Sequence, residues 1–240
     1  MTKRLLATIL TVGVGSLLAT AAYGTPLIQF AQTSATNTVT GTANAGGTAT
    51  TISGTDIAVQ ITQLENDPPS GPALPVNAFL NFTLTSTDSA NNVNNPPPPG
   101  DDQQHYDGSF TITSLAGGGG INYLSGSGIT NGLFSGAATG PGATFNITQP
   151  PNGLIFSTDG PITSIGVPVA FALSFTNLIS GSPDHGLGIT GSTIDSFTAT
   201  VSGNASGNPL PTTVPEPASL LLLGTGLLGA VKARRRFAKA

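Results

Sequence analysis

The chain holds no cysteine and no tryptophan, and its seven basic residues are confined to the two ends: Lys3, Arg4, Lys232, Arg234, Arg235, Arg236 and Lys239. Between Leu5 and Val231 there is no lysine or arginine at all. Each absence removes a class of chemistry. Without cysteine there is no disulfide, no thiolate nucleophile and no sulfur-ligated metal. Without an internal lysine there is no Schiff-base catalysis and no phosphate loop; the run Gly117–Gly120 lacks the Gly-Lys-Ser/Thr that would follow and reads as a turn. A Gly-x-Ser-x-Gly nucleophile elbow is missing too. Ten of the eleven acidic residues, from Asp56 to Asp195, lie in this base-free interior. That region therefore carries about ten negative charges with no internal cation to pair with, which excludes nucleic acid as a partner and disfavours anionic lipid.

What is present is concentrated first at the ends. Met1-Thr2-Lys3-Arg4 precedes the uncharged apolar run Leu5–Ala19 and a small-residue stretch, Ala19–Gly24. A short basic region, an apolar core and small residues at a cut site make residues 1–24 a secretory signal peptide, with cleavage after Ala21 or Gly24. The far end has three parts in order: Val214-Pro215-Glu216-Pro217, an apolar stretch Leu220–Val231, and a basic tail containing Arg234, Arg235 and Arg236. A helix over Ala218–Val231 would be only ~21 Å long at 1.5 Å per residue, so it spans a bilayer only with snorkelling or thinning. The basic tail keeps that end in the cytoplasm and leaves the middle of the chain outside.

This tripartite end resembles the PEP-CTERM sorting signal, with Pro215-Glu216-Pro217 as the signature, Leu220–Val231 as the span and Arg234–Arg236 as the basic stop. The resemblance implies recognition by an exosortase, a membrane-embedded cysteine transpeptidase that cuts near the motif. It also implies a Gram-negative host that makes exopolysaccharide, passage through an inner-membrane intermediate, and delivery to the cell surface or extracellular matrix. It covers residues 214–240 and carries no information on the rest.

The middle has a period of two. Ile57, Val59 and Ile61 alternate with polar residues, and a phrase recurs in Phe82-Thr83-Leu84-Thr85, Phe110-Thr111-Ile112-Thr113, Phe145-Asn146-Ile147-Thr148 and Phe197-Thr198-Ala199-Thr200. Each phrase puts an aromatic and an aliphatic residue on one face and hydroxyls or amides on the other. The longest case sets Val167, Val169, Phe171, Leu173 and Phe175 on one face, with Pro168 pointing away as in an edge strand. Glycine- and proline-rich breaks separate the runs, and their irregular spacing excludes a fixed-repeat solenoid or propeller. The expected fold is all-β, a β-sandwich or jelly-roll-like domain over residues 25–202, flanked by an N-terminal signal helix and a short C-terminal transmembrane sorting helix. Phe82, Leu84, Phe110, Ile112, Phe171, Leu173 and Phe175 should face inward. Residues 203–213, rich in Ser, Gly, Asn and Pro, read as a flexible linker. Asn66–Pro75 and Asp88–Asp107 read as irregular loops.

One cluster could carry chemistry. In Asp101-Asp102-Gln103-Gln104-His105-Tyr106-Asp107 the carboxylates of Asp101, Asp102 and Asp107, if looped, could wrap calcium, although the spacing matches no EF-hand. A solvated acidic loop is the plain alternative. Tyr106 and Tyr123 could stack on sugar rings or cap the core. No pair of carboxylates is singled out for glycoside cleavage. The expectation is a non-enzymatic exported protein that needs no cofactor and serves as a structural or adhesive component of the exopolysaccharide matrix. The rival is a carbohydrate-binding module, with or without calcium.

Overall fold

Alternating side chains oblige each strand to bury one face, and here the strands satisfy this by closing on themselves. The computed structural model describes residues 25–65, 73–92, 101–138, 140–160, 162, 165–181 and 186–208. They form β1 (Thr25–Gln32), β2 (Val39–Ala43), β3 (Thr50–Leu64), β4 (Val76–Ser86), β5 (Asn91–Asn92), β6 (Asp101–Leu115), β7 (Gly119–Ala137), β8 (Ala143–Gln149), β9 (Ile155–Ser157), β10 (Gly166–Ser180), β11 (Ile189–Thr190), β12 (Thr193–Ile194) and β13 (Phe197–Asn208). Among the described residues there is no α-helix.

Every long strand pairs antiparallel with the next, in the order β1, β3, β4, β6, β7, β8, β10, β13, and β13 returns to β1. The result is an eight-stranded up-and-down barrel. This corrects the sandwich or jelly-roll expectation: the β6–β7 and β1–β13 ladders join what would have been two separate sheets. The short strands complete the wall. β2 continues β1 along the same seam, between β3 and β13, after the chain leaves it at residues 33–38. There the Gln32 side chain stands in for a strand, its Oε1 accepting from the Val201 amide at 3.2 Å.

The interior is filled rather than hollow. Phe82, Leu84, Phe110, Ile112, Phe171, Leu173 and Phe175 are all buried, as the alternation predicts. Phe110 on β6 stacks on Phe171 on β10, with centroids 3.8 Å apart and planes 7° from parallel. Phe134 meets Tyr106, Phe175 and Phe197. The rings fit because glycines sit opposite them. Four direct cross-strand partners pair a glycine with a phenylalanine: Gly41 with Phe197, Gly54 with Phe82, Gly126 with Phe110, and Gly203 with Phe30. A Cβ at any of the four would fall within 2.8 Å of the ring.

Outward positions are threonine, serine and asparagine, such as Thr83, Thr85, Thr144, Asn146, Thr148, Ser174 and Thr176. Apolar inside and polar outside is the reverse of a lipid-facing barrel. Two expectations shift. β13 runs to Asn208, so residues 203–208 of the expected linker are barrel wall. Pro168 lies at a bulge near the start of β10, between Gly166 and Val169, and β10 is flanked on both sides by β13 and β8 instead of being an edge.

Candidate functional site

The acidic segment is a strand, not a loop. Within β6 the side chains alternate: Asp102, Gln104 and Tyr106 are buried, whereas Asp101, Gln103, His105 and Asp107 point outward. Asp101 and Asp107 are six residues apart on an extended strand, ~20 Å at 3.3 Å per residue, and Asp102 faces the other way. The structure therefore does not bring Asp101, Asp102 and Asp107 together. Among the described residues no group of three or more Asp, Glu or His side chains is placed to hold a metal ion.

Asp107, Asp56 and Asp88 instead fix the backbone where it departs from regular pairing. Asp107 Oδ1 accepts the amide of Asn131, which has φ +60°, at 2.8 Å. Asp56, itself at φ +49° in the β3 bulge, accepts from the Gly117 amide at 2.6 Å and from Asn81 Nδ2 at 3.2 Å. Asp88 accepts the His105 amide at 2.8 Å through Oδ1 and meets His105 Nδ1 at 2.6 Å through Oδ2. Composition gave no sign of this Asp88–His105 clasp, but it holds the segment after β4 against β6.

Beneath it, a buried polar cluster seals one end of the barrel. Tyr106 donates to Gln104 Oε1 at 2.9 Å, and the same oxygen accepts the Ile194 amide at 3.3 Å. Gln104 Nε2 donates to the Asp88 carbonyl at 2.8 Å. The Thr50 hydroxyl donates to the Ile194 carbonyl at 2.5 Å and meets the Thr193 hydroxyl. The β11–β12 hairpin is thereby tied across the barrel mouth, with every group in the cluster partnered, as buried polar groups require. Burial pushes the Tyr106 phenol above its ordinary value of 10.0, and the nearby Asp88 carboxylate adds to the effect against a hydrogen bond with Thr50 that opposes it. Tyr106 and Tyr123 are both core residues, so neither is available to stack on a sugar.

Two shallow depressions lie on the outer wall among the described residues. One, about 200 Å³, crosses β3, β1, β13 and β10 and is lined by Gln29, Thr62, Ser174, Ser202 and Asn204 around Gly203. The other, about 230 Å³, lies across β3, β4 and β6 beside Thr55, Asn81, Thr83, Ser109 and Thr111. Both present hydroxyls and amides without a charge or a catalytic pair.

The signal peptide and the sorting residues Val214, Pro215, Glu216, Pro217, Arg234, Arg235 and Arg236 lie outside the described residues, as do both expected terminal helices. The barrel ends at Asn208, and residues 209–240 lie outside the described residues. The model of the PEP-CTERM protein-sorting motif matches residues 213–236. The chain thus carries a PEP-CTERM sorting motif, the signal that marks an exosortase substrate, where its proline-glutamate-proline triplet, apolar run and arginines stand. No curated protein and no solved structure matches the chain.

Proposed function

We propose that this exosortase substrate delivers a closed, non-enzymatic barrel to the surface or extracellular matrix of a Gram-negative bacterium, where it serves as a structural or adhesive component among exopolysaccharide chains. The observation that carries the reading is the wall itself. Its outward threonines, serines, asparagines and glutamines offer hydrogen bonds in both directions with no Lys or Arg among them. Such a surface suits a hydrated polymer of hydroxyl groups, and among the described residues aromatic and aliphatic side chains pack the barrel interior. The reading needs no cofactor.

Its test begins with processing. Intact mass of the protein from its native host should lack residues before about Thr25 and after about Pro217. Pro215→Ala combined with Glu216→Ala should leave an uncut, membrane-bound precursor. Mature protein should then co-purify with the host polysaccharide, and equal recovery from cells that make none would defeat the adhesive role. A carbohydrate-binding module is the second reading, favoured by the depression around Gly203; soluble fragments of the polysaccharide would then raise the melting temperature in proportion to the logarithm of their concentration.

A further inference from the structure

An up-and-down barrel gathers its chain ends at one pole. β1 begins at Thr25 and β13 ends at Asn208; Thr25 pairs with Gly207, and its hydroxyl donates to the Gly207 carbonyl at 3.0 Å. The antiparallel order puts the end of β6, the start of β7 and the start of β10 at this same terminal pole. Among the described residues five large apolar side chains are conspicuously exposed, and three lie toward that pole: Leu115 at 60%, Ile121 at 49% and Val167 at 66%. Leu115 and Ile121 flank the glycine turn between β6 and β7. Val167 stands in the β10 bulge, beside the Gly166–Asn208 pair; Ile155 pairs with Ser127, halfway along β7, and is not part of the rim. The fifth, Ile179, is at the opposite end of β10. Scattered single hydrophobics need no explanation, but a rim of them at the pole where the chain enters and leaves does.

The length of chain outside the barrel says what covers it. Five residues, 20–24, separate the apolar run Leu5–Ala19 from Thr25, a reach of ~17 Å at full extension. Residues 209–219, eleven in all, separate Asn208 from Leu220, a reach of ~40 Å. A twelve-residue strand tilted 35–45° stands about 30 Å along the barrel axis. While the N-terminal run is in the bilayer, its tether is too short to let the barrel turn its opposite pole toward the lipid. We infer that the terminal pole is a lipid-contacting surface, on which Leu115, Ile121 and Val167 rest in the bilayer interface while the N-terminal run anchors the chain. The inference rests on the reading of the chain as a membrane-anchored precursor. Contact is apolar, because the rim has no Lys or Arg to attract an anionic surface, and it should be insensitive to salt. It keeps one pole against the membrane until the N-terminal run is cut away and leaves an apolar rim on the released protein.

The missing tryptophan makes the test direct. Leu115→Trp, Val167→Trp and Ile179→Trp, each in the full chain, place a single indole at one exposed site. The variants are reconstituted in phosphatidylcholine vesicles with or without brominated acyl chains, with melting curves to verify folding. Emission at 115 and 167 should shift to the blue and be quenched by bromolipid several-fold more than at 179. Equal quenching at the three sites in chains that float with the vesicles would overturn the inference and leave the anchored precursor intact. Chains that fail to float would overturn both. A blue shift at 115 and 167 that grows with protein concentration without lipid would assign the rim to a second copy of the chain and end the lipid proposal. Should a tryptophan variant fail to fold, bromolipid protection of Leu115→Cys and Val167→Cys from a water-soluble maleimide decides the same question, since the chain has no other thiol.

Discussion

Gly126→Ala tests the idea that the barrel is held by rings seated on glycines. Gly126 lies on β7 directly opposite Phe110. A Cβ there would stand 2.1 Å from Phe110 Cε1, 2.7 Å from Cδ1 and 2.8 Å from Cζ, where ordinary contact begins at 3.4 Å. The ring must retreat by 3.4 − 2.1, or 1.3 Å, at its nearest atom. It has nowhere to go, because its far face is stacked on Phe171 at 3.8 Å and Phe156 lies edge-on at 6.1 Å. Overpacking of this kind costs about 1–3 kcal/mol. Against it stands the gain from restricting the unfolded chain, about 0.4–1 kcal/mol when a glycine is replaced without strain. The clash wins, and the net loss should be about 1–2 kcal/mol. For a domain of this size that is a fall of about 2–8 °C in melting temperature. Thermal unfolding followed by far-ultraviolet circular dichroism reads it. Adding Phe110→Leu should make the two changes non-additive, because the smaller side chain relieves the contact even as it opens a cavity. If Gly126→Ala melts at or above the parent, the ring–glycine account of the barrel is wrong.

Three further outcomes follow from the same geometry. Phe171→Ala removes a fully buried ring from the stack and should cost about 3–5 kcal/mol, measured by urea unfolding. Tyr106 is held neutral by burial, so the folded state keeps a proton that the unfolded state begins to lose near pH 10; stability should decline as pH rises above that value and be level with respect to this group below it, as melting curves across alkaline pH would show. Added NaCl should raise the melting temperature by screening the repulsion among the acids, since the Debye length falls from ~30 Å at 0.01 M to ~10 Å at 0.1 M. CaCl₂ at matched ionic strength should do no more, because Asp101, Asp102 and Asp107 do not converge; a much larger calcium effect would contradict the strand placement of that segment.

The strands were legible because period-two alternation is a local signal. The Phe-x-Leu and Phe-x-Ile phrases at 82, 110 and 145 name their inward faces without reference to any partner. Closure was not legible, since a sandwich and a barrel impose the same alternation and differ only in which ladders join. The acidic segment hid itself for a related reason. Its inward residues, Asp102, Gln104 and Tyr106, are polar or amphipathic and break the hydrophobic reading, yet they share parity with Phe110 and Ile112, and that continuity was the available clue. Residues 203–208 look like linker because Gly203, Ala205 and Gly207 are small. They are small because neighbouring side chains occupy the space: Gly203 lies under Phe30, and its missing Cβ would stand 2.6 Å from that ring. A glycine's role as a seat can be read only once the register is known.

The join between the first and last strands has a consequence for synthesis. The ladder from Thr25 to Gly207 links positions 182 residues apart, so the wall cannot be sealed until almost the whole barrel has been made and exported. Until then β1 and β10 present unpaired edges, the kind of surface that recruits other chains. Pairing across so long a span is slow, because the chain must close its largest loop before any of those bonds reward it. A product broken off before Phe197 therefore lacks both the closing strand and the address that follows it. Completeness, sealing and delivery are read from one stretch of chain, and a truncated copy fails at all three together.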